Sequence, residues 1–364
     1  MNNKQGISNI QVSVIVIVSI IGLAVLSIPS VVAKAAGIDG ILSVIVSGVL
    51  TLIIASAIMV LSLRFPNDTV IEYTQIILGK LLGKAFCALI VFYTMTISAI
   101  ILRGFADAMK ILLLPKTPLE FIMVSLLLVT LYQVQGGITS IAKVNEIFIT
   151  PIIGAIIVVI VFSLPEVELF RYRAVFSKGL GPIIKGCSSV IFTYLGYGIL
   201  AFLTPFMKDK KSLYKYGIIG VIVPIIIYTG LVFVSMGSSG SKTTADFVYP
   251  TVQLARNIVF FGTLIIRFDI FFIIFWILAV YTSLTIYMYM STFSIVRLIG
   301  LRNYKPFALI IAPIIYLIAL LPQNQIEIET FSKVANYTGL FITSSSIPIL
   351  LIAVIRKKGG KANA

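Results

Sequence analysis

The sequence predicts an all-α integral membrane protein with about ten transmembrane helices, arranged as a five-plus-five inverted repeat in which helices one and six are discontinuous. First, 59% of the 364 residues are hydrophobic and 11% are charged, whereas a soluble domain carries about 25% charged residues. Second, the apolar residues form long blocks, and a bilayer core about 30 Å thick takes roughly 20 apolar residues per helix. Third, two of these blocks carry Gly and Pro near their middle.

The hydrophobic blocks define the helices in chain order, and no segment shows the alternating polarity of a transmembrane β-barrel. The predicted helices are residues 10–35, 40–63, 85–113, 119–135, 145–164, 183–206, 214–236, 262–298, 306–321 and 333–355. The longest polar connection is 237–261, and another is 165–181. Residues 10–33 are a long apolar run for a cleaved signal peptide, so we expect them to remain as helix one.

We expect one transmembrane domain over residues 1–364, with a first repeat at 10–164 and a second at 183–356. The two halves have similar lengths and opposite orientation, as an inverted-topology repeat requires. The basic clusters Lys208–Lys215 and Arg356–Lys361 place both termini on the cytoplasmic side by the positive-inside rule. The net charge is +15 without any histidine, which in this context indicates contact with anionic membrane lipid and not with nucleic acid.

Two predicted helices are interrupted near the middle of the membrane. Helix one contains Gly22 and Pro29, and helix six contains Gly196 and Gly198 before Pro205. Pro lacks a backbone donor and Gly tolerates unwound geometry, and unwound backbone inside a membrane must face protein or a watery cavity. Matching breaks in two halves favour a transporter-type site, where free amides and helix dipoles hold a carboxylate. The alternative is that Gly and Pro are simply common in membrane helices.

Neighbouring helices supply candidate walls for this site. Tyr93 and Thr94 lie in the middle of helix three, although a membrane tyrosine also serves as a packing residue or interfacial anchor. Thr282 and Ser283 lie in the middle of helix eight and form a candidate ion site, because this architecture resembles that of sodium-coupled proteins in which hydroxyls of helix eight and carbonyls of broken helix one hold an ion. Such hydroxyls also commonly bond a carbonyl of their own helix, so both interpretations stay open.

Charged residues inside membrane helices are costly and are therefore functional candidates. Arg103 and Asp107 are one helical turn apart and are expected to pair. Arg267 and Asp269 are two residues apart at the start of helix eight, so we expect them to face different directions. All four lie toward the outer ends of their helices, and no carboxylate is clearly placed at mid-membrane. This weakens a proton-coupled mechanism.

The remaining reactive residues do not indicate an enzyme. Lys143 and Glu146 flank the start of helix five, where anchoring is the favoured role over imitation of a bound cation. Cys87 and Cys187 lie in or beside apolar helices and are expected to be unpaired. The sequence shows no metal-ligand spacing, nucleophile elbow, phosphate loop or paired carboxylates. We therefore expect no catalytic residues, no metal and no cofactor.

Several short segments match a known family. They are Gly6–Gln11, Ile28–Ser30, Ala36–Gly40, Gly179–Ile183, Tyr249–Arg256, Arg267–Asp269 and Trp276. The most specific is the combination of Tyr249–Arg256 with Arg267–Asp269. On these segments the chain resembles, nearly end to end, the permease-like B subunits of nutrient germinant receptors in spore-forming bacteria, a branch of the amino acid–polyamine–organocation superfamily. It departs from many relatives at Ile41, where they have Trp, and at Gly198, where they have an acidic residue.

The resemblance implies a LeuT/APC-like fold that binds a small nutrient, usually an amino acid, between broken helices one and six. The predicted ligand-binding residues are Gly22, Leu23, Ala24, Leu26, Tyr93, Thr94, Leu195, Gly196, Tyr197 and Gly198. Because Gly198 replaces the acidic residue, a cationic or ion-coupled ligand is in doubt. A small neutral or apolar amino acid is the expected ligand.

The resemblance also implies partners and a location. Family members act in the spore inner membrane with a larger A-type subunit and a lipoprotein C-type subunit to start germination. The leading hypothesis is therefore a receptor whose ligand biases a transporter-like fold between two states. An ion-coupled amino-acid permease is the alternative, and a third hypothesis is a subunit whose own water or ion path opens on ligand binding.

Overall fold

The structure, a computed structural model, describes residues 6–258, 267–301 and 303–356, and these are helical apart from turns and one isolated parallel bridge between Ile7 and Met207. The predicted start of helix eight at 262 and the basic tail beyond Arg356 lie outside the described residues. In order, the α-helices are α1 (Asn9–Ile21), α2 (Ile28–Ala36), α3 (Gly40–Arg64), α4 (Val70–Leu78), α5 (Lys80–Leu112), α6 (Leu119–Gly136), α7 (Ile138–Ser163), α8 (Leu180–Val190), α9 (Leu200–Leu203), α10 (Leu213–Ser239), α11 (Ser241–Asp246), α12 (Pro250–Asn257), α13 (Phe268–Leu298), α14 (Lys305–Leu320), α15 (Gln325–Ser344) and α16 (Ser346–Ile355).

The described helices form ten spans, which confirms the predicted number and makes the chain a multi-pass membrane protein. Eight helical stretches are long and apolar enough to cross a bilayer, and two shorter apolar helices, α1 and α14, complete the set. Helix α2 belongs to span one with α1, although it also runs into α3 through a 3-10 turn at Gly37–Asp39. Spans two to ten are then α3, α5, α6, α7, α8 with α9, α10, α13, α14, and α15 with α16.

Helix α1 lies at the centre of the bundle. It begins with a capping box in which Gln11 N donates to Ser8 Oγ at 3.3 Å and Ser8 N donates to Gln11 Oε1 at 2.8 Å, so two free backbone donors are satisfied. Every residue from Gln11 to Ile21 is buried, and the helix packs against α7, α10 and α13. A helix that is apolar on all sides belongs in a core, and this position puts the end of α1 inside the protein.

Three short helices were not predicted. Helix α4 follows span two and begins with a capping box, in which the Glu72 carboxylate accepts from Thr69 N at 2.9 Å. Helices α11 and α12 occupy the polar connection between spans seven and eight, and α12 starts with Pro250, a favourable first residue because its missing N–H would be unpaired there. With nine residues or fewer each, these helices are too short to give a clear hydrophobic period.

The predicted pair of Arg103 and Asp107, near the C-terminal end of span three, forms. Arg103 Nε lies 3.2 Å from Asp107 Oδ2, and the guanidinium also donates to the carbonyls of Ala319 and Pro322 at 3.2 and 3.0 Å. The arginine therefore links span three to the end of span nine, a role that sequence spacing does not show. Cys87 and Cys187 are both free, as predicted.

The expectation that Arg267 and Asp269 face different directions is wrong. Arg267 Nη2 lies 3.1 Å from Asp269 Oδ2, and Arg256 Nε lies 3.2 Å from the same oxygen. Helical spacing does not apply to this pair because Arg267 precedes α13, with φ −136° and ψ 65°. The Asp269 side chain is 1% exposed, so two arginines compensate one buried carboxylate and attach α12 to span eight.

Candidate functional site

Span one is broken between α1 and α2, as predicted. Helix α1 ends at Ile21, a turn follows at Gly22, and a single 3-10 turn at Ala24–Leu26 leads into α2. Pro29 lies in the first turn of α2, where its fixed φ is favourable and its missing N–H costs nothing. The break therefore results from Gly22 at the end of one helix and Pro29 at the start of the next.

Side chains from three other elements satisfy the backbone carbonyls around this break. The hydrogen bonds are Ser283 Oγ to Val18 O at 2.5 Å, Tyr228 Oη to Ile20 O at 2.8 Å and Thr251 Oγ1 to Val25 O at 2.7 Å. Val18 O also accepts from Gly22 N at 3.4 Å. Buried carbonyls at a helix break need such donors, because no water is available to them in a membrane core. The break is consequently attached to span eight, span seven and α12.

The break in span six has a different form from the unwound segment that was predicted. The nine residues Ile191–Ile199 form a 3-10 helix between α8 and α9, and a second 3-10 turn covers Thr204–Phe206 with Pro205 inside it. Runs of 3-10 helix longer than three or four residues are uncommon and often mark functional hinges. The segment is a tightened helix whose hydrogen-bond geometry is weaker than that of an α-helix.

The two breaks touch through their backbones. Ser19 Oγ donates to Gly196 O at 3.0 Å, and a Cβ added at Gly196 would lie 2.3 Å from Ser19 O and 2.7 Å from Ile20 N. No side chain fits between the two segments, so glycine is required by close approach. The last turn of α1 and the 3-10 segment of span six therefore form one packed unit in the centre of the protein.

Tyrosines from three spans meet beside this unit. The Tyr93 ring lies edge-on to Tyr287, with centroids 6.4 Å apart, and Gly339 of span ten packs so closely that a Cβ there would lie 2.4 Å from Tyr93 Cε2. The hydroxyls of Tyr93 and Tyr197 are buried and make no hydrogen bond of normal geometry with the described residues. Leaving such a group dry costs about 1–3 kcal/mol, so this region favours a polar guest.

Tyr93, Thr94 and Gly198 line one cavity, which we call the inner cavity. It lies between α4, α5, α9 and spans two, eight and ten, and its volume is about 40 Å³. That is space for roughly three water molecules. The other described wall residues are Ile58, Leu61, Val70, Tyr73, Thr74, Phe86, Ile90, Ala201, Phe202, Met290, Ile342, Thr343, Ser346 and Ile349.

The predicted ligand-binding residues fall into two groups. Leu23, Ala24 and Leu26 belong to the break of span one, where Leu23 packs onto Gly104, whose added Cβ would lie 2.6 Å from Leu23 Cδ2; none of the three is among the described wall residues of the inner cavity. The second group is Tyr93, Thr94 and Gly198 around that cavity, with Leu195 and Tyr197 buried nearby. The contact of Gly196 with the end of α1 joins the two groups.

The candidate ion-site hydroxyls are engaged in different ways. Thr282 Oγ1 donates to carbonyls of its own helix, Leu278 O at 3.0 Å and Ala279 O at 2.9 Å. Ser283 reaches across to Val18 O, and a Cβ added at Gly22 would lie 2.5 Å from Ser283 Oγ. The Ser283 hydroxyl therefore lies beside broken span one, where the ion site was predicted. Binding of an ion there stays a prediction.

A large vestibule opens at the end of the bundle that carries Gly6. Its volume is about 1240 Å³, and it includes Lys143, Lys208, Lys210, Arg297 and Lys305 against the acidic pair Asp68 and Glu72. Burial raises the pKa of Asp68, and the neighbouring Glu72 raises it further against the opposing effect of Lys210. The vestibule is thus mainly basic. From the sequence, these residues bore only on membrane orientation and anchoring. The vestibule could not be predicted, because it forms only when four separate connections fold together.

The fold and the paired breaks define a class, the transporter-like helical membrane proteins. The chain superposes on the crystal structure of MhsT in complex with L-phenylalanine with a TM-score of 0.69, covering 98% of this chain and 90% of that chain at 17% identity. This likeness confirms the LeuT-like fold. It does not extend to the ligand, because identity this low shows the fold alone.

The particular family follows from sequence comparison. The model of the family described as "Spore germination protein" matches residues 6–328, and the chain belongs to this family. It is 25% identical to spore germination protein A2 of Bacillus subtilis over 98% of this chain and 96% of that protein, and 25% identical to spore germination protein YndE of the same organism over 98% of both. Spore germination protein GerLB of Bacillus cereus is 21% identical over 94% of this chain. The predicted resemblance is confirmed, and the family is permease-like and not enzymatic.

Proposed function

We propose that this protein is the nutrient-sensing subunit of a spore germination receptor and that it binds a small neutral amino acid where broken spans one and six meet. The observation that carries this proposal is the direct packing of Gly196 on the backbone of Ser19 and Ile20. A ligand that separates or tightens this contact changes the position of span one relative to span six, and so affects both halves of the fold. Family membership supports the role in germination, and the complex of MhsT with L-phenylalanine supports an amino-acid ligand on this fold.

The ligand-binding residues in this proposal are those named from the sequence. Gly22 to Leu26 supply backbone groups at the end of α1, and the 3-10 segment of span six supplies Leu195 to Gly198. The buried hydroxyls of Tyr93 and Tyr197, which make no hydrogen bond of normal geometry with the described residues, supply further hydrogen-bonding capacity. Both hydroxyls are uncharged, which suits a neutral side chain on the ligand.

The hydrogen bonds around the break provide a route for the signal. Thr251 of α12 and Tyr228 of span seven both hold carbonyls of the broken segment, so a ligand that changes its geometry changes the position of these elements as well. Sensing requires only that the ligand bind two arrangements with different affinity. We infer that A-type and C-type subunits read the change in the spore inner membrane, with the vestibule and both termini on the cytoplasmic side.

An ion-coupled permease is the second candidate, and the fold together with the open vestibule favours it. Uptake by the purified protein in liposomes distinguishes the two functions. With labelled neutral L-amino acids and an imposed sodium or proton gradient, we expect binding without accumulation. Accumulation driven by either gradient contradicts a pure receptor.

The site itself is tested in spores that carry a variant as the sole receptor. Gly22→Leu and Tyr93→Leu are each expected to abolish the germination response to amino acids while the protein stays in the membrane. Gly154→Leu is the matched control, because Gly154 is exposed on span five and nothing lies within 4 Å of its added Cβ. A normal response of both site variants contradicts the assignment.

A further inference from the structure

The vestibule carries an excess of positive charge that the proposed amino-acid site does not use. Its described walls include five basic and two acidic side chains. Arg297 forms a 3.5 Å ion pair with Glu72, and Lys210 acts electrostatically on Asp68. Each acid therefore has a basic neighbour. Three exposed lysines remain that form no ion pair with a described residue, namely Lys143, Lys208 and Lys305.

The amino-terminal end of α7 opens on this vestibule without a side-chain cap. Residues Gly136–Ser140 line the vestibule, and the cap residue Gly137, with φ 81°, has no side chain to offer. The N–H groups of Ile138 and Ser140 have no described acceptor. Such groups need an acceptor from outside the helix, and together with the helix dipole they favour an anion. At α4 the Glu72 carboxylate already meets this need.

Two tyrosines lie beside the end of α7. Tyr304 Oη would be 2.7 Å from a Cβ added at Gly137, so it reaches the helix end itself. Tyr289 is 3% exposed and lines the vestibule, with its ring packed on Tyr304 and Phe293. No described residue bonds the Tyr289 hydroxyl, although buried polar groups normally have a partner. This hydroxyl is available to a ligand in the vestibule.

We propose that the vestibule binds a phosphate-type oxyanion at the amino-terminal end of α7, either free phosphate or the phosphate of a lipid headgroup. The N–H groups of Ile138 and Ser140 and the Tyr289 hydroxyl donate to its oxygens. Lys143 and Lys305 balance its charge, as charge-assisted hydrogen bonds do in other anion sites. The site shares no residue with the proposed amino-acid site and does not depend on the proposed function.

The position of the site gives the anion a structural effect. Its proposed ligands belong to spans five, eight and nine, whereas Lys208 faces the same vestibule from the connection after span six. Lys208 N donates to Ile7 O at 3.1 Å, which attaches this connection to the start of span one. The bound anion attracts the Lys208 side chain. Occupancy therefore draws the inner ends of both broken spans toward spans five and nine.

The test titrates inorganic phosphate against the full chain in a maltoside detergent at constant ionic strength, followed by phosphorus NMR. Saturable line broadening is expected for the wild-type protein. Lys143→Gln, Lys305→Gln and Tyr289→Phe are each expected to weaken binding by about 10-fold, the effect of one lost hydrogen bond to a charged group. Absence of any effect in Tyr289→Phe overturns the proposed site, because this hydroxyl is the one buried donor from a side chain.

A second arm of the test distinguishes the two sources of phosphate. The protein is exposed to phosphatidic acid or to phosphatidylcholine with the same acyl chains, and retained lipid is counted by native mass spectrometry. Selective retention of phosphatidic acid that falls in the same three variants assigns the site to a lipid headgroup. Saturable phosphate binding without such retention assigns it to the free anion. Failure of both arms in the wild-type protein overturns the proposal.

Lys215→Gln is the matched control. It removes the same charge from an exposed lysine at the start of α10 that does not line the vestibule, so binding should be unchanged. An equal loss in Lys215→Gln and Lys143→Gln would show only diffuse attraction to a basic surface and would overturn the site. Lys208→Gln is expected to weaken binding by about 3-fold, the effect of one charge that acts without a direct hydrogen bond. Unchanged binding in this variant overturns the link to the broken spans.

Discussion

Gly196 of span six lies directly against the carbonyl group of Ser19 in span one, at a distance that leaves no room for a side chain. The nearest atoms to an added Cβ are Ser19 O at 2.3 Å, Ser19 C at 2.5 Å and Ile20 N at 2.7 Å. All three are backbone atoms of a buried helix and cannot rotate away. The two broken spans are therefore coupled by shape as well as by the hydrogen bond from Ser19 Oγ to Gly196 O.

Gly196→Ala is expected to lower the free energy of unfolding by about 1–3 kcal/mol, the usual cost of overpacking a core. Gly198→Ala is the control, because its added Cβ meets only Thr343 Cγ2 at an ordinary 3.4 Å. Thermal unfolding of the two purified variants in the same detergent measures the difference. Equal stability of both variants would contradict the close contact.

Gly22 and Ser283 are expected to be coupled in stability. Gly22→Ala places a methyl group 2.5 Å from Ser283 Oγ, and Ser283→Ala removes the donor to Val18 O, a loss of about 1 kcal/mol. Because Ser283→Ala also removes the closer of two tight contacts and leaves only the Cβ at position 283, 3.0 Å away, the double variant should lose less stability than the sum of the single losses. A double-mutant cycle by thermal unfolding measures this, and strict additivity would refute it.

The cluster of Arg256, Arg267 and Asp269 at the start of span eight should respond unequally to loss of its members. Asp269→Asn is expected to destabilise the protein more than Arg256→Gln or Arg267→Gln, since either arginine still leaves the buried carboxylate one partner at 3.1–3.2 Å. Removing the carboxylate instead leaves two guanidinium groups side by side. Thermal unfolding of the three variants at one pH gives the order. A smaller effect for Asp269→Asn than for both arginine variants would show that the pairing is unimportant.

Asp68 is expected to make stability depend on pH. Its pKa is raised by burial in the connection after span two and by Glu72. A raised pKa means that the folded state binds the proton more tightly than the unfolded state. The stabilising contribution is therefore complete below the unfolded pKa of about 3.9 and is lost as the pH rises through the folded pKa.

Asp68→Asn removes this dependence. The variant should be more stable than the wild type at pH 7, and its advantage should shrink as the pH is lowered toward 4. Melting temperatures of both proteins across this range provide the measurement. An advantage that does not vary with pH would assign the effect to something other than ionisation of Asp68.

The sequence predicted more of the fold than of the site. Nine of the predicted helices agree with the structure in order and approximate bounds, with span five starting earlier at Ile138, and the start of helix eight lies outside the described residues. Length and hydrophobicity determine these spans, because each helix satisfies its own backbone within the membrane. Helices α4, α11 and α12 were missed, since their formation depends on caps and on packing against the bundle and not on a long apolar run.

The candidate site was predicted less completely than the fold. Gly22, Gly196 and Gly198 were singled out because glycine interrupts a helix, and the structure places breaks at these positions. The choice of Thr94 and Thr282 rested on their mid-helix positions, yet both hydroxyls bond carbonyls of their own helices. Thr251 and Tyr228 were not named, although they hold the broken segment. Their partners lie more than 200 residues away, and no local pattern reports such a contact.

The sequence by itself determined a ten-span membrane protein with two interrupted helices and the family to which it belongs, because hydrophobic length, Gly and Pro act locally. Only the tertiary structure decided that the break in span six is a 3-10 segment, that Gly196 packs on Ser19 and that Thr74, Tyr93 and Ser346 line one cavity. These features depend on which helix faces touch. That is set by the packing of distant segments, where a shift of a single ångström separates contact from clash.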